Sequence, residues 1–192
     1  MSEKFKNKYT IKSARLEGHD YSQNGMYFVT ICTKNREEFF GKIEDGEMIF
    51  SDVGKTANEF WREIARHFPF VNLDEYIVMP NHLHGIMEIN KNGSNMHACR
   101  DEAMPRLYTG EYPKMSKISP KSGSLSVMIG SFKSIVSKMV NKQYPNITFA
   151  WQPRFYDHII RNERSLGEIR EYIKTNPKTW KRDRNNSESV FM

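Results

Sequence analysis

The chain of 192 residues has only two cysteines, Cys32 and Cys99. They do not form a disulfide framework, and neither stands in a spacing that suits a zinc site. No run approaches 18 apolar residues, so a membrane-spanning helix is not expected. The N-terminal residues MSEKFKNKYTIKSARLEG carry charge but no apolar core of a secretory signal. No glycine-rich phosphate loop of the Walker type is present, which argues against nucleotide hydrolysis. No internal repeat is visible. These absences set the expectation of a cytoplasmic protein with one domain over residues 1–192 and no membrane partner.

What the chain does have is aromatic and basic residues. It carries 12 Phe, 9 Tyr and 3 Trp, enough to fill a core without metal or disulfide. Its net charge is +6, which favours a polyanionic partner, nucleic acid first. Residues 1–24 read as a basic arm. Residues 91–124 show no period and read as a long loop insertion.

Hydrophobic periodicity places the elements. Met26 to Thr33 is rich in β-branched and aromatic residues, as in a buried strand. Asp45-Gly46 lies between two short apolar pieces, a hairpin signal. Val53, Ala57, Phe60, Ile64 and Phe68 recur at helical spacing, and Pro69 ends that segment. Val71–Met79 and His82–Ile89 read as two strands joined by a tight reversal at Pro80-Asn81. Leu125 to Val140 forms a second apolar helical stripe, with Lys133 on its outward face. Ile147–Ala150 and Phe155–Ile160 are short strand candidates. Residues 165–176 form a last helix, with Pro177 beyond it. The order strand, helix, strand, strand, helix, strand is ferredoxin-like, as in RNA-recognition motifs. It predicts an α+β fold with an antiparallel sheet, helices on one face and a C-terminal helix bearing tyrosine.

Two local patterns carry chemistry. His82 and His84 sit at i and i+2 of a strand, so their rings share one face and can hold one divalent cation. Two such histidines are also at home as ordinary polar residues on an exposed face. Tyr172 and Asn176 are four apart on the last helix and therefore stack on one side. Tyr172 can reach over the sheet with a free hydroxyl, and Asn176 can add an oxygen to the histidine pair. That donor set suits Mg²⁺ or Mn²⁺. Tyr172 and Asn176 also fit a plain helix edge and helix stop.

Several separated segments together resemble one family. They are Gly25–Thr33, Tyr76–Ile86 around Met79-Pro80-Asn81-His82-Leu83-His84, Gly130–Ser134, Trp151–Asn162 and Tyr172–Pro177. In this order they resemble the HUH-type single-tyrosine transposases of the insertion-sequence class, more narrowly the transposases associated with repetitive extragenic palindromes (REP). The resemblance implies that His82 and His84 are the metal pair. It implies that Tyr172 is the nucleophile, taking the 5′-phosphate of cleaved single-stranded DNA. Asn176 falls where related enzymes carry a glutamine ligand, which leaves His158 or Asp157 open as substitutes. Tyr156 is the competing nucleophile. Arg154 and Arg161 match basic family positions and are expected on DNA phosphates, as are Lys133 and Arg15 of the arm. The implied partner is single-stranded or hairpin DNA, with a homodimer left open. Two other readings compete: a non-catalytic single-strand-binding module, and a metal-dependent phosphodiesterase that uses water.

Overall fold

A computed structural model describes residues 16, 18–92 and 120–186. Arg15, most of the basic arm and residues 93–119 of the long loop lie outside the described residues. Among the described residues, six strands and three α-helices follow in order: β1 Gly25–Cys32, β2 Gly41–Glu44, β3 Glu47–Phe50, α1 Asp52–His67, β4 Val71–Met79, β5 His82–Ile89, α2 Leu125–Gln143, β6 Tyr156–Ile160 and α3 Glu163–Thr175. A 3-10 segment, Asn176–Arg182, continues α3.

The main sheet has the order β4-β5-β1-β6, with each neighbouring pair antiparallel. With the β2–β3 hairpin set aside as an insertion, this is the ferredoxin-like arrangement expected from the element order. The hairpin turns at Asp45 and Gly46, both at positive φ (50° and 79°), as a two-residue primed turn requires.

Alternation along the strands divides the sheet into two apolar faces. One face presents Tyr27, Val29, Leu83, Met87 and Ile89 to α1 and α2, whose Trp61, Ile64, Phe132 and Val136 complete the main core. The other presents Phe28, Ile86 and Ile160 to Leu166 and Ile173 of α3. The C-terminal helix thus covers the face opposite the other two helices.

Local signals explain the helix starts. The Ser51 hydroxyl accepts from the Gly54 amide at 3.0 Å and begins α1. The Asn162 side chain accepts from the Ser165 amide at 2.8 Å and begins α3, with Glu163 in the first turn.

Three expectations change in the structure. Residues 18–24 are not a free arm: Tyr21 is buried beside Tyr27, and its carbonyl accepts from the Leu125 amide at 3.0 Å. Ile147–Ala150 forms no strand, and only Thr33 and Trp151 make an isolated bridge there. Pro145 and Pro153 bracket that stretch and lack the amide a ladder needs. Lys133 does not point outward. It is half-buried and its amine donates to the Gln152 carbonyl, while the Trp151 indole donates to the Lys133 carbonyl at 3.1 Å.

Candidate metal and tyrosine site

His82 opens β5 directly after the Pro80-Asn81 turn, and both histidines lie on the face covered by α3. Register sets their neighbours: His82 is opposite Cys32, and His84 is opposite Thr30. Both rings are fully buried. Their Nε2 atoms face each other at 3.0 Å. The outer nitrogens are held from behind: His82 Nδ1 lies 2.8 Å from Asn81 Oδ1, and His84 Nδ1 lies 2.8 Å from Thr30 Oγ1. The Asn81 amide nitrogen donates to the carbonyls of Arg36 and Asn185, at 3.1 and 2.8 Å. Its oxygen is therefore the acceptor. His82 Nδ1 carries the proton, and His82 Nε2 turns its lone pair inward.

Tyr172 comes from α3. Its hydroxyl lies 3.1 Å from His84 Nε2 and donates to Asp183 at 3.3 Å. Phe28 forms the wall, stacked on His84 at 5.3 Å and edge-on to Tyr172 at 6.2 Å. One helical turn on, Asn176 is fully buried. Its amide nitrogen donates to Asp183 Oδ2 at 2.9 Å, and its Oδ1 has no hydrogen-bond partner. An orphaned buried acceptor costs free energy that a cation would recover. Asp183 follows the 3-10 segment, is buried, and accepts from the Asn185 amide at 2.6 Å. Ligand atoms of His82, His84 and Asp183 all lie within 4.8 Å of one another.

Electrostatics agree with this donor set. Burial, with Arg36 and Arg184 adding to it, pushes His82 down to about 3. Burial and the neighbouring His82 hold His84 well below the usual imidazole range. Both rings are therefore neutral at ordinary pH, the form that ligates a metal. Burial, then the Asp183 carboxylate, pushes the Tyr172 phenol up to about 12. Two imidazoles, a carboxylate and an orphaned amide oxygen fit a divalent cation.

The structure brings Tyr172, His82, His84 and Asn176 together. It does not bring the other proposed ligands to them. Asp157 pairs with Val29 and turns to the opposite face of the sheet. His158 is exposed opposite Phe28 on β6. Tyr156 shares the site's face, 41% exposed, with its ring 6.5 Å from Phe28. Arg154 and Arg161 are both exposed, before and after β6. Sequence reasoning missed Asp183. The signal available was one acid among basic residues in Lys181-Arg182-Asp183-Arg184, beyond the expected helix end. It also missed the role of Asn81, which holds His82 as well as making the turn.

No family model matches the chain. A Haemophilus influenzae protein described as uncharacterized is 36% identical over 173 residues, 90% of this chain and 91% of that one. A second protein of that organism, named a candidate REP-associated tyrosine transposase, is 23% identical over 158 residues, 82% of this chain and 73% of that one. A solved REP-associated tyrosine transposase bound to a REP hairpin shares the fold, with a TM-score of 0.52 and 18% identity, over 94% of this chain and 74% of that one. Along most of its length the chain is thus similar in sequence to a protein named as a REP-associated tyrosine transposase, and it shares the fold of a solved one.

Proposed function

We propose that the protein cleaves and rejoins single-stranded DNA near hairpins, with Tyr172 as nucleophile. The observation that carries this is the approach of the Tyr172 hydroxyl to His84 Nε2, at 3.1 Å, above a buried cluster of metal-type donors. The phenol oxygen attacks a backbone phosphate, forming a phosphotyrosine at the 5′ side and releasing a 3′-hydroxyl. A 3′-hydroxyl of another strand then attacks the phosphotyrosine and restores a phosphodiester. Each step exchanges one ester for another, so no nucleotide hydrolysis is needed.

His82, His84 and Asp183 would hold the cation, with Asn176 Oδ1 beside them. Once bound, a divalent cation supplies Lewis-acid polarisation of the phosphate and a charge that favours phenolate. The protein supplies the rest. Asn81 and Thr30 fix the imidazoles, and Asp183 orients the Tyr172 hydroxyl. Phe28 and α3 keep bulk water from that side. The solved relative's REP hairpin supports hairpin DNA as the substrate class.

The test is a denaturing gel of protein incubated with labelled hairpin DNA and Mn²⁺. Wild type gives a covalent adduct, and Tyr172→Phe abolishes it. If Tyr156→Phe abolishes the adduct and Tyr172→Phe does not, the nucleophile is Tyr156. Cleavage that survives both substitutions points to water instead.

A further inference from the structure

Two clefts meet on the face that carries the histidines. One, of about 440 Å³, is lined by Phe28, Tyr172, Asp183 and Arg182 and contains the proposed chemistry. The second, of about 300 Å³, lies on the other side of Tyr156 and Arg184, which line both. Its remaining wall includes Arg36, Arg154, Asn185 and Cys32. Three guanidinium groups therefore border one small cleft, and among the described residues no carboxylate lines it.

Asn185 gives this cleft a second feature. The residue is only 6% exposed, yet its Nδ2 has no hydrogen-bond partner. A buried amide donor left unpaired is costly unless an acceptor arrives. An acceptor that suits a cleft bordered by three guanidinium groups is an anion, and phosphate oxygens match guanidinium geometry well. The backbone here is held for the purpose. The Arg36 guanidinium donates to the Arg184 carbonyl at 2.7 Å, and the Asn81 amide ties the Arg36 and Asn185 carbonyls together.

We propose that this cleft is a second phosphate subsite, which grips the DNA phosphate adjacent to the scissile one. This rests on the strand-transfer reading above. A strand leaving the tyrosine cleft must cross Tyr156, whose exposed ring offers a stacking platform for the intervening base. Arg184 already lies 5.6 Å over that ring and reaches into both clefts. Arg36, Arg154 and Asn185 then set the register of the strand, and so the phosphate that meets Tyr172.

The experiment is a phosphate scan. Labelled hairpin DNA with a single-stranded flank carries one neutral methylphosphonate at a time, and binding is measured by fluorescence anisotropy in EDTA. The cleavage position comes from the adduct assay. Neutralising one phosphate beside the scissile one weakens wild-type binding about tenfold. The double variant Arg36→Gln/Arg154→Gln binds more weakly but loses nothing further from that neutralisation. Because Arg36 also holds the Arg184 carbonyl, the single variant Arg154→Gln, at an exposed residue, is measured beside it and shows a smaller penalty than wild type with that hydrogen bond intact. An equal penalty in wild type and both variants, with adduct still formed, overturns the subsite and leaves strand transfer standing. Failure to form an adduct on any DNA overturns both.

Discussion

Gly85 faces the main core beside His84, and its missing side chain is what lets β5 approach Trp61 of α1 so closely. A Cβ there would meet Trp61 Cζ2 at 2.3 Å, and Trp61 is fully buried. The indole cannot retreat, because Phe132 packs edge-on to it at 5.4 Å and Tyr76 lies 6.1 Å away. Gly85→Ala should therefore push β5 out of line and destabilise the protein by about 1–3 kcal/mol, readable in urea unfolding. His84 is the adjoining residue, so the same substitution should also weaken Mn²⁺ binding measured by calorimetry. Unchanged stability would mean that the sheet and α1 separate more easily than this packing implies.

Among the elements, α3 is the one whose position decides whether a tyrosine meets the histidines. Its apolar stripe rests on Phe28, Ile86 and Ile160. A charged clamp adds direction: Arg170 of α3 binds both carboxylate oxygens of Asp74 on β4, with Nε at 3.0 Å from Oδ1. Arg170 beside it, with the Glu75 amide adding to the effect, holds the Asp74 carboxyl below its usual range. The sign follows from that depression. The stabilisation is complete above the unfolded carboxylate pKa of about 4. It is lost as pH falls through the lower folded value. Arg170 is partly exposed, so solvent screening limits Asp74→Asn to about 0.5–1 kcal/mol near neutrality. The difference between wild type and variant should shrink in acid melts below about pH 4, and a constant difference would remove the clamp from the account. The sequence made most of these elements legible. Period-two alternation marks His82 and His84, and period 3.6 with Pro177 beyond it marks the tyrosine helix. Asp183 was not legible for a physical reason. It lies just beyond the 3-10 segment that follows the helix, where no periodicity marks it, and it reaches the histidines because Trp180 and Asn176 are buried.

At the scale of the whole molecule, the site joins distant parts of the chain. Tyr172 meets a histidine 88 positions earlier, and the Asn185 carbonyl meets Asn81 across 104 positions. A ligand that binds this junction only in the folded chain must stabilise the entire fold. Mn²⁺ at 100 times its Kd should contribute about 2.7 kcal/mol. For a domain of this size that is a rise in Tm of about 5–10 °C. His82→Ala and Asp183→Asn should each abolish most of the rise, the first by removing a ligand and the second by removing the charge of another. Asp183→Asn has a further consequence, since it loosens the hold on the Tyr172 hydroxyl and the Asn176 amide together. It should therefore lower the metal-free Tm as well, whereas Arg161→Gln, an exposed change beyond β6, should alter neither quantity. A full Mn²⁺-dependent rise in Asp183→Asn would leave the histidines and Asn176 as the ligand set and assign Asp183 to positioning Tyr172 alone.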